Sequence, residues 1–204
     1  MITKILQADL LESIEQGAEL LRAGKLVAFP TDTVYGLAAD AFNSKAIEAL
    51  FMVKDREFGK AIAVLVGSQK DLARVSGRMT GPALRLAEHF WPGPLTLVVS
   101  KHASLPEILS PLPTVGIRMP DHPAALALLR LTGPLAVTSA NQSGSASTCT
   151  AGEVLAQLGN RIPLILDGGT TPGGIPSTVI DCSRSIPVIL RQGPISEEAI
   201  RKFL

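Results

Sequence analysis

The sequence predicts an α/β protein whose strands form a largely mixed sheet. Short apolar runs, typical of buried strands, alternate along the chain with amphipathic helical segments. Hydrophobic residues make up 46% of the 204 residues, which indicates a large buried core, and charged residues make up only 18%. The sequence contains no internal repeat, low-complexity tract or linker, so we predict a single domain over residues 1–204.

Elements in the first half of the chain are predicted from apolar spacing and from residues that begin or end helices. Leu10, Ile14, Ala18 and Leu21 share one helical face, and Gly24 ends that helix. The elements that follow, in chain order, are a strand at residues 26–29, a helix capped by Ser44, a strand at 61–66, a helix at 82–90 and a strand at 95–99.

The second half continues the alternation of strands and helices, with a glycine-rich loop at residues 167–174. Thr150 and Glu153 have the spacing of a capping box, in which each side chain caps the other's backbone. The remaining elements are strands at residues 114–117, 135–138, 163–166, 177–181 and 188–193, a helix at 122–131, the helix opened by the capping box, and a short helix capped by Ser196.

Composition and missing motifs exclude several classes of protein. The net charge of +1 neither requires nor excludes a nucleic-acid partner. Cys149 and Cys182 have no metal or redox spacing, and no signal peptide or membrane-length apolar run is present, so we expect a cytoplasmic protein without a membrane. Metal-ligand histidine spacing, a Walker loop and the serine-hydrolase and Rossmann glycine motifs are absent from the sequence.

A cluster of hydroxyl groups follows the strand at residues 26–29. Thr31, Thr33 and Tyr35 surround Asp32, and Gly36 allows the backbone to approach a bound group. Polar groups at the end of a buried strand are where open α/β sheets bind ligands. The alternative is a turn that caps the following helix.

Positive charges lie at the ends of other predicted elements. Lys54, Arg56 and Lys60 place three cations within seven residues, which suits a triphosphate, although a solvated helix end would have the same composition. Arg118 and Arg191 each end an apolar strand run. They require either an anionic ligand or an internal salt bridge, for which Asp121 and Asp181 are the candidates.

Hydroxyl and amide side chains also open two later loops. The run Ser139-Ala-Asn-Gln-Ser-Gly144 follows a strand directly and could bind phosphate or ribose, or form an Asx or Ser turn. Ser177 and Thr178 open another strand in the same way. The sequence contains many binding groups but no evident general base, a combination that suits phosphoryl or nucleotidyl transfer. We therefore assign no catalytic residue.

Seven short motifs occur in one order along the chain. They are Pro30-Thr-Asp-Thr-Val-Tyr-Gly-Leu37, Lys54-x-Arg56, Trp91-Pro-Gly-Pro-Leu-Thr96, Val115-Gly-Ile-Arg118, Ser139-Ala-Asn-x-Ser-Gly144, Ser177-Thr-Val-Ile-Asp181 and Arg191-x-Gly193. In this order they resemble the YrdC-like family, the threonylcarbamoyl-AMP synthases, over about residues 10–195. Each motif alone is weak evidence, but the ordered set is specific.

The resemblance implies a twisted α/β sheet flanked by helices around a concave, positively lined cavity. It also implies a nucleotidyltransferase that makes L-threonylcarbamoyladenylate and pyrophosphate from L-threonine, bicarbonate and ATP, for N6-threonylcarbamoyladenosine modification of tRNA. Further implied partners are tRNA or double-stranded RNA and the proteins that transfer the group to tRNA. The alternatives are a YrdC-like RNA-binding module and a paralogue without synthase activity.

Residue roles follow from the resemblance by motif position. It places four residues around threonine, namely Thr31, Tyr35, Arg118 and Ser177. It places eight around ATP, namely Lys54, Arg56, Lys60, Thr114, Ser139, Asn141, Ser147 and Arg191. Magnesium is expected to arrive with ATP, and no protein metal site is expected.

Overall fold

A computed structural model describes residues 2–204, in which ten strands form one sheet. The strands are β1 Lys4–Gln7, β2 Val27–Phe29, β3 Gly36–Asp40, β4 Ala63–Leu65, β5 Leu95–Ser100, β6 Thr114–Arg118, β7 Leu135–Ser139, β8 Leu164–Asp167, β9 Thr178–Asp181 and β10 Val188–Arg191. Their order is β1-β8-β2-β3-β7-β4-β6-β5-β9-β10. Five neighbouring pairs are antiparallel and four are parallel, which confirms the predicted mixed α/β sheet.

The helices connect the strands along the chain. They are α1 Leu11–Arg22, α2 Ser44–Val53, α3 Leu72–Val75, α4 Gly81–Phe90, α5 Pro123–Thr132, α6 Ala151–Leu158 and α7 Glu197–Arg201. Short 3-10 turns cover Gln69–Asp71 and Glu107–Leu109. Within residues 2–204, none of the helices combines the length and the apolar character needed to cross a membrane.

Helix caps agree with the sequence at two of the three predicted positions. Thr150 and Glu153 form the reciprocal capping box of α6, and Ser196 caps α7. The prediction for Ser44 is wrong, because Asn43 caps α2 by accepting hydrogen bonds from the first turn. Asn43 is one residue earlier, where its short side chain reaches the free N–H groups of that turn.

Helices cover both faces of the sheet. Side chains Ile14 and Leu128, from α1 and α5, share a core with Val27 and Phe29 of β2. Ala28, between them in sequence, points to the opposite face and belongs to the larger core formed with α2, α4 and α6. The alternation along β2 shows that the central strands are buried on both faces.

Two strands were not predicted from the sequence. β1 has mostly exposed side chains at the sheet edge, so its pattern is not that of a buried run. β3 begins at Gly36, inside the segment interpreted as a ligand loop, and consists of Gly-Leu-Ala-Ala-Asp. Because β3 pairs with β2 on one side and β7 on the other, it brings the hydroxyl cluster beside Ser139.

Candidate functional site

A cavity of about 340 Å³ opens on the sheet face that carries α1 and α5. Its floor is formed by side chains that are neighbours across the strands: Ala63 pairs with Val137, and Val98 pairs with Gly116. A Cβ atom at Gly116 would lie only 3.1 Å from Cγ2 of Thr96. The missing side chain at Gly116 therefore keeps the floor of the cavity low.

Three arginines line this cavity from distant parts of the chain: Arg56, Arg118 and Arg191. Burial lowers the pKa of each of the three guanidinium groups. Within the described residues 2–204, neither Arg56 nor Arg191 has a carboxylate at ion-pair distance. Partly buried positive charges without counter-charges favour an anionic ligand.

Arg118, at the end of β6, is held on three sides. Its Nε donates to the carbonyl oxygen of Gly93 at 3.0 Å, its Nη1 donates to Oγ1 of Thr33 at 3.0 Å, and its Nη2 donates to Oδ1 of Asp32. The sequence alternative of an internal salt bridge is therefore correct, but the partner is Asp32 rather than Asp121 or Asp181. A guanidinium has five N–H groups, so one N–H on each terminal nitrogen is left for a ligand.

The segment after β2 forms a turn that leads into strand β3, so the alternative of a turn capping a helix is wrong, and the segment lines the cavity. Oγ1 of Thr31 donates to the carbonyl oxygen of Val34 at 2.6 Å and lies 3.0 Å from Oγ1 of Thr33. Thr31, Thr33 and Val34 all contribute to the cavity wall. The hydroxyl cluster thus acts as a local turn that presents its side chains to the cavity.

Tyr35 fixes the glycine-rich loop beside the cavity. Its hydroxyl donates to the carbonyl oxygen of Gly169 at 2.8 Å and accepts from the N–H of Gly168 at 3.1 Å. Burial, together with the nearby carboxylate of Asp167, raises the pKa of Tyr35 to about 12. The phenol therefore stays protonated and holds the glycine-rich loop against the segment that lines the cavity.

Ser177 and Arg191 form the opposite wall. Arg191 donates to the carbonyl oxygen of Ser177 from Nε at 3.1 Å and from Nη2 at 2.8 Å. Oγ of Ser177 lies 2.8 Å from Oγ1 of Thr96 on β5. A Cβ atom at Gly193 would approach the nitrogen of Thr178 to 2.3 Å, so a glycine is needed where the two segments meet.

Lys54 lies outside the cavity lining, although the resemblance implied a phosphate contact. Its ammonium group donates to the carbonyl oxygens of Ser139 and Asn141, and the residue is buried. Burial and the neighbouring charge of Arg56 lower the pKa of Lys54 to about 7. In this structure Lys54 positions the loop that follows β7, and the sequence did not reveal that role.

Of the twelve residues implied by the resemblance, seven line the cavity: Thr31, Tyr35, Arg56, Arg118, Ser139, Ser177 and Arg191. Besides Lys54, the four that lie outside its lining are Lys60, Thr114, Asn141 and Ser147. Lys60 is exposed and pairs with Glu57 at 3.2 Å. Asn141 donates from Nδ2 to the carbonyl oxygen of Ser145 at 2.8 Å, which holds the loop closed.

Four positions at or beside the cavity are absent from the residue roles implied by the resemblance, although Thr33 belongs to the hydroxyl cluster singled out in the sequence. Thr33 and Thr96 line the cavity through hydroxyl groups, and Gly116 opens its floor. Asp32 supplies the carboxylate for Arg118. Thr33 and Asp32 lie inside a motif that had been recognised, so their presence beside Thr31 was the available signal; the roles of Thr96 and Gly116 depend on strand register.

Comparison with known proteins assigns the chain to a family. A model of the Sua5, YciO and YrdC proteins, described as Telomere recombination, matches residues 19–193. Threonylcarbamoyl-AMP synthase of Bacillus subtilis (strain 168) is 44% identical over 194 residues, covering 94% of this chain and 56% of that protein. The Pyrococcus abyssi threonylcarbamoyl-AMP synthase is 41% identical over 193 residues, covering 94% and 57%. The chain thus spans little more than half the length of these two relatives.

Solved structures share the fold. Pyrococcus abyssi Sua5 complexed with L-threonine superposes with a TM-score of 0.95 at 39% identity, covering 100% of this chain and 61% of that one. Escherichia coli YciO superposes with a TM-score of 0.87 at 26% identity, and each chain is covered completely. Because the family model matches residues 19–193 and both solved structures superpose over the whole chain, the chain belongs to the Sua5/YciO/YrdC family.

Proposed function

We propose that this protein is an L-threonylcarbamoyladenylate synthase, which forms threonylcarbamoyl-AMP and pyrophosphate from L-threonine, bicarbonate and ATP. The observation that carries the proposal is the cavity, in which Arg56, Arg118 and Arg191 face hydroxyl groups across a floor of small side chains. Such a cavity suits a ligand with several negative charges. Support also comes from relatives named threonylcarbamoyl-AMP synthase and from the Sua5 structure with L-threonine.

We divide the residues that line the cavity between the two substrates. Threonine is assigned to Thr31, Tyr35, Arg118 and Ser177, and the two free N–H groups of Arg118 can bind its carboxylate.

ATP is assigned to the arginines Arg56 and Arg191 and to Ser139 at the end of β7. Lys54 holds the carbonyl oxygen of Ser139 in place. The other residues that the resemblance assigns to ATP, Lys60, Thr114, Asn141 and Ser147, lie outside the cavity lining.

The chemistry we infer depends on positioning and charge neutralisation. The amine of threonine takes up the carbon of bicarbonate with loss of water. An oxygen of the new carbamate then attacks the α-phosphorus of ATP, a bond from the carbamate oxygen to phosphorus forms, and pyrophosphate leaves. Fixed guanidinium groups stabilise the charge that develops on the phosphate oxygens, without reorganisation during the reaction. No residue of the cavity needs to form a covalent intermediate.

Magnesium is proposed to enter with ATP. Residues 2–204 contain no cluster of three or more His, Cys, Asp or Glu side chains that could hold a metal ion. In nucleotide sites magnesium is usually bound mainly by phosphate oxygens and water, with few protein ligands. Bound there, magnesium supplies further neutralisation of the triphosphate.

The product is proposed to be used for N6-threonylcarbamoyladenosine modification of tRNA in the cytoplasm. A threonylcarbamoyl adenylate is a mixed anhydride, which is an activated donor of its acyl group to an amine such as that of the adenosine. The proposed partners are therefore tRNA and the tRNA-threonylcarbamoyl transferase proteins.

The test is product analysis by mass spectrometry after incubation with magnesium, ATP, bicarbonate and a mixture of amino acids. We expect one adduct, threonylcarbamoyl-AMP, and pyrophosphate release that stops when threonine or bicarbonate is omitted. If no amino acid stimulates pyrophosphate release from a folded protein, the proposal is wrong. Threonine-independent binding of tRNA or double-stranded RNA in that protein would then favour the RNA-binding alternative.

A further inference from the structure

Asp55, the middle residue of Lys54-Asp55-Arg56, has an uncommon backbone conformation. Its φ angle is +49°, in the left-handed region that side chains other than Gly, Asn and Asp seldom adopt. Its side chain is 57% exposed, whereas Arg56 lines the cavity. Because of this turn, the side chains of Asp55 and Arg56 lie on opposite sides of the segment.

The carboxylate of Asp55 connects three parts of the chain. Arg161 donates to it through both terminal nitrogens, at 2.9 Å to Oδ2 and 3.1 Å to Oδ1. Nε2 of Gln142 donates to Oδ2 at 2.8 Å. Arg161 also donates from Nη2 to the carbonyl oxygen of Met52 at 3.1 Å, which attaches it to the end of α2. These hydrogen bonds, chiefly those from Arg161, lower the pKa of Asp55.

The loop that receives these contacts supplies part of the cavity wall. Ser139, at the end of β7, lines the cavity three residues before Gln142. The N–H of Ser143 donates to the carbonyl oxygen of Lys54 at 2.9 Å, and the ammonium group of Lys54 holds the carbonyl oxygen of Ser139. The segment of Arg56 and the loop of Ser139 are therefore joined on the inside by Lys54 and on the outside by Asp55.

We propose that Asp55 is a positioning residue for the nucleotide, which sets the separation of Arg56 and Ser139 through Gln142 and Arg161. The inference rests on the proposed function, since it assumes that these two residues face ATP. An exposed ion pair alone contributes little to stability. Here the bidentate guanidinium and the amide fix a loop, so the effect of losing them should fall on ligand affinity rather than on the free energy of unfolding.

The test compares Asp55→Asn, Arg161→Ala and the double variant with the wild-type chain. Asparagine tolerates the left-handed conformation, so Asp55→Asn removes the charge without new backbone strain. The matched control is Glu197→Gln, which removes an exposed carboxylate that pairs with Arg201 on α7. Calorimetry gives the dissociation constants of magnesium-ATP and of threonine, and thermal melting gives stability.

We expect each single variant to weaken magnesium-ATP binding by about fivefold and to leave threonine binding within about twofold. The double variant should be no weaker than the poorer single variant, because both residues act in one network. Glu197→Gln should bind both ligands as the wild type does.

Three results would overturn the inference. One is unchanged ATP affinity in Asp55→Asn while the wild type binds ATP, which leaves the proposed function intact. Another is an equal loss for ATP and threonine with a lower melting temperature, which would make Asp55 merely structural. The third is a wild-type chain that does not bind magnesium-ATP, which would remove the proposed function as well.

Discussion

Arg118 combines a structural role with a proposed binding role. It neutralises the charge of Asp32 through an ion pair to Oδ1. The other carboxylate oxygen of Asp32, Oδ2, is buried and has no hydrogen-bond partner among residues 2–204. Arg118 also keeps one N–H on each terminal nitrogen for a ligand. A carboxylate would recognise the planar guanidinium with its two parallel N–H groups, and not only its positive charge.

Arg118→Lys tests that role because lysine keeps the positive charge but lacks the planar guanidinium with its paired N–H groups. We expect the affinity for threonine to fall at least tenfold, or about 1.4 kcal/mol, while ATP affinity without threonine barely changes. Titration calorimetry with each ligand separately measures both. A variant that loses ATP affinity but still binds threonine normally would place Arg118 among the phosphate contacts.

Lys54 gives stability a specific pH dependence. The pKa of Lys54 is lowered from 10.5 to about 7 in the folded protein. Between about pH 7 and pH 10.5 the lysine is therefore more fully protonated in the unfolded chain than in the folded one. Stability from this residue therefore rises with pH above about 7. In Lys54→Met the rise should disappear, although the variant is less stable overall because two carbonyl groups lose their donor.

The measurement for Lys54 is the urea midpoint at about pH 7 and about pH 8.5. The upper pH is kept at about 8.5 because Cys182 changes the stability in the opposite direction. Burial raises the pKa of Cys182 from 9.0 to about 12. The free energy of unfolding therefore falls once the pH is high enough to ionise thiols of the unfolded chain. Equal changes of midpoint in the wild type and Lys54→Met would contradict a lowered pKa for this lysine.

The two cysteines are predicted to be non-catalytic. Cys182 is fully buried in the larger core, and its raised pKa keeps the thiol protonated. Cys149 and Cys182 are both free and lie outside the cavity lining. The double Cys→Ser variant should keep most of its turnover while melting at a lower temperature, since a hydroxyl replaces a thiol in the core. Complete loss of activity with native circular dichroism would show that a thiol takes part.

At the scale of single elements, β6 determines the depth of the cavity. Gly116→Val would fill the floor beside Thr96 and should reduce product formation at least about tenfold. Overpacking should lower the free energy of unfolding by about 1–3 kcal/mol, so the protein stays folded. Gly77→Val is the control, because that exposed glycine lies away from the cavity and a Cβ there would meet no atom closer than 3.4 Å. Equal activity in both variants would exclude Gly116 from the binding floor.

Elements with a continuous apolar run or a capping signal could be predicted from the sequence. β2, β7 and β8 consist mainly of buried residues, and the capping box of α6 depends only on two residues three positions apart. β1 and β3 could not be predicted, because an exposed edge strand and a strand of small residues lack that pattern. Motif order located seven cavity residues, whereas the Arg118–Asp32 pair and the inward contacts of Lys54 depend on long-range packing that no local pattern encodes.

At the scale of the whole molecule, bound substrates should stabilise the protein as one unit. Each ligand at a hundred times its dissociation constant adds about 2.7 kcal/mol to the free energy of unfolding. For a chain of this length that corresponds to a rise in melting temperature of about 5–10 °C. Differential scanning fluorimetry with threonine, and separately with magnesium-ATP, measures the shift. Arg118→Lys should respond to ATP as the wild type does and to threonine by only about half as much. A wild-type chain that responds to neither ligand would contradict the proposed function.

The strand order places residues from both ends of the chain around one cavity. β9, which pairs with β5, and β10 beyond it form the far edge of the sheet, and their segment supplies Ser177 and Arg191. A chain still emerging from the ribosome would already carry Thr31 and Arg118 but would have no wall opposite them. The cavity can close only after residue 191 has left the exit tunnel, so translation that stops early releases polypeptides in which the cavity lacks one wall.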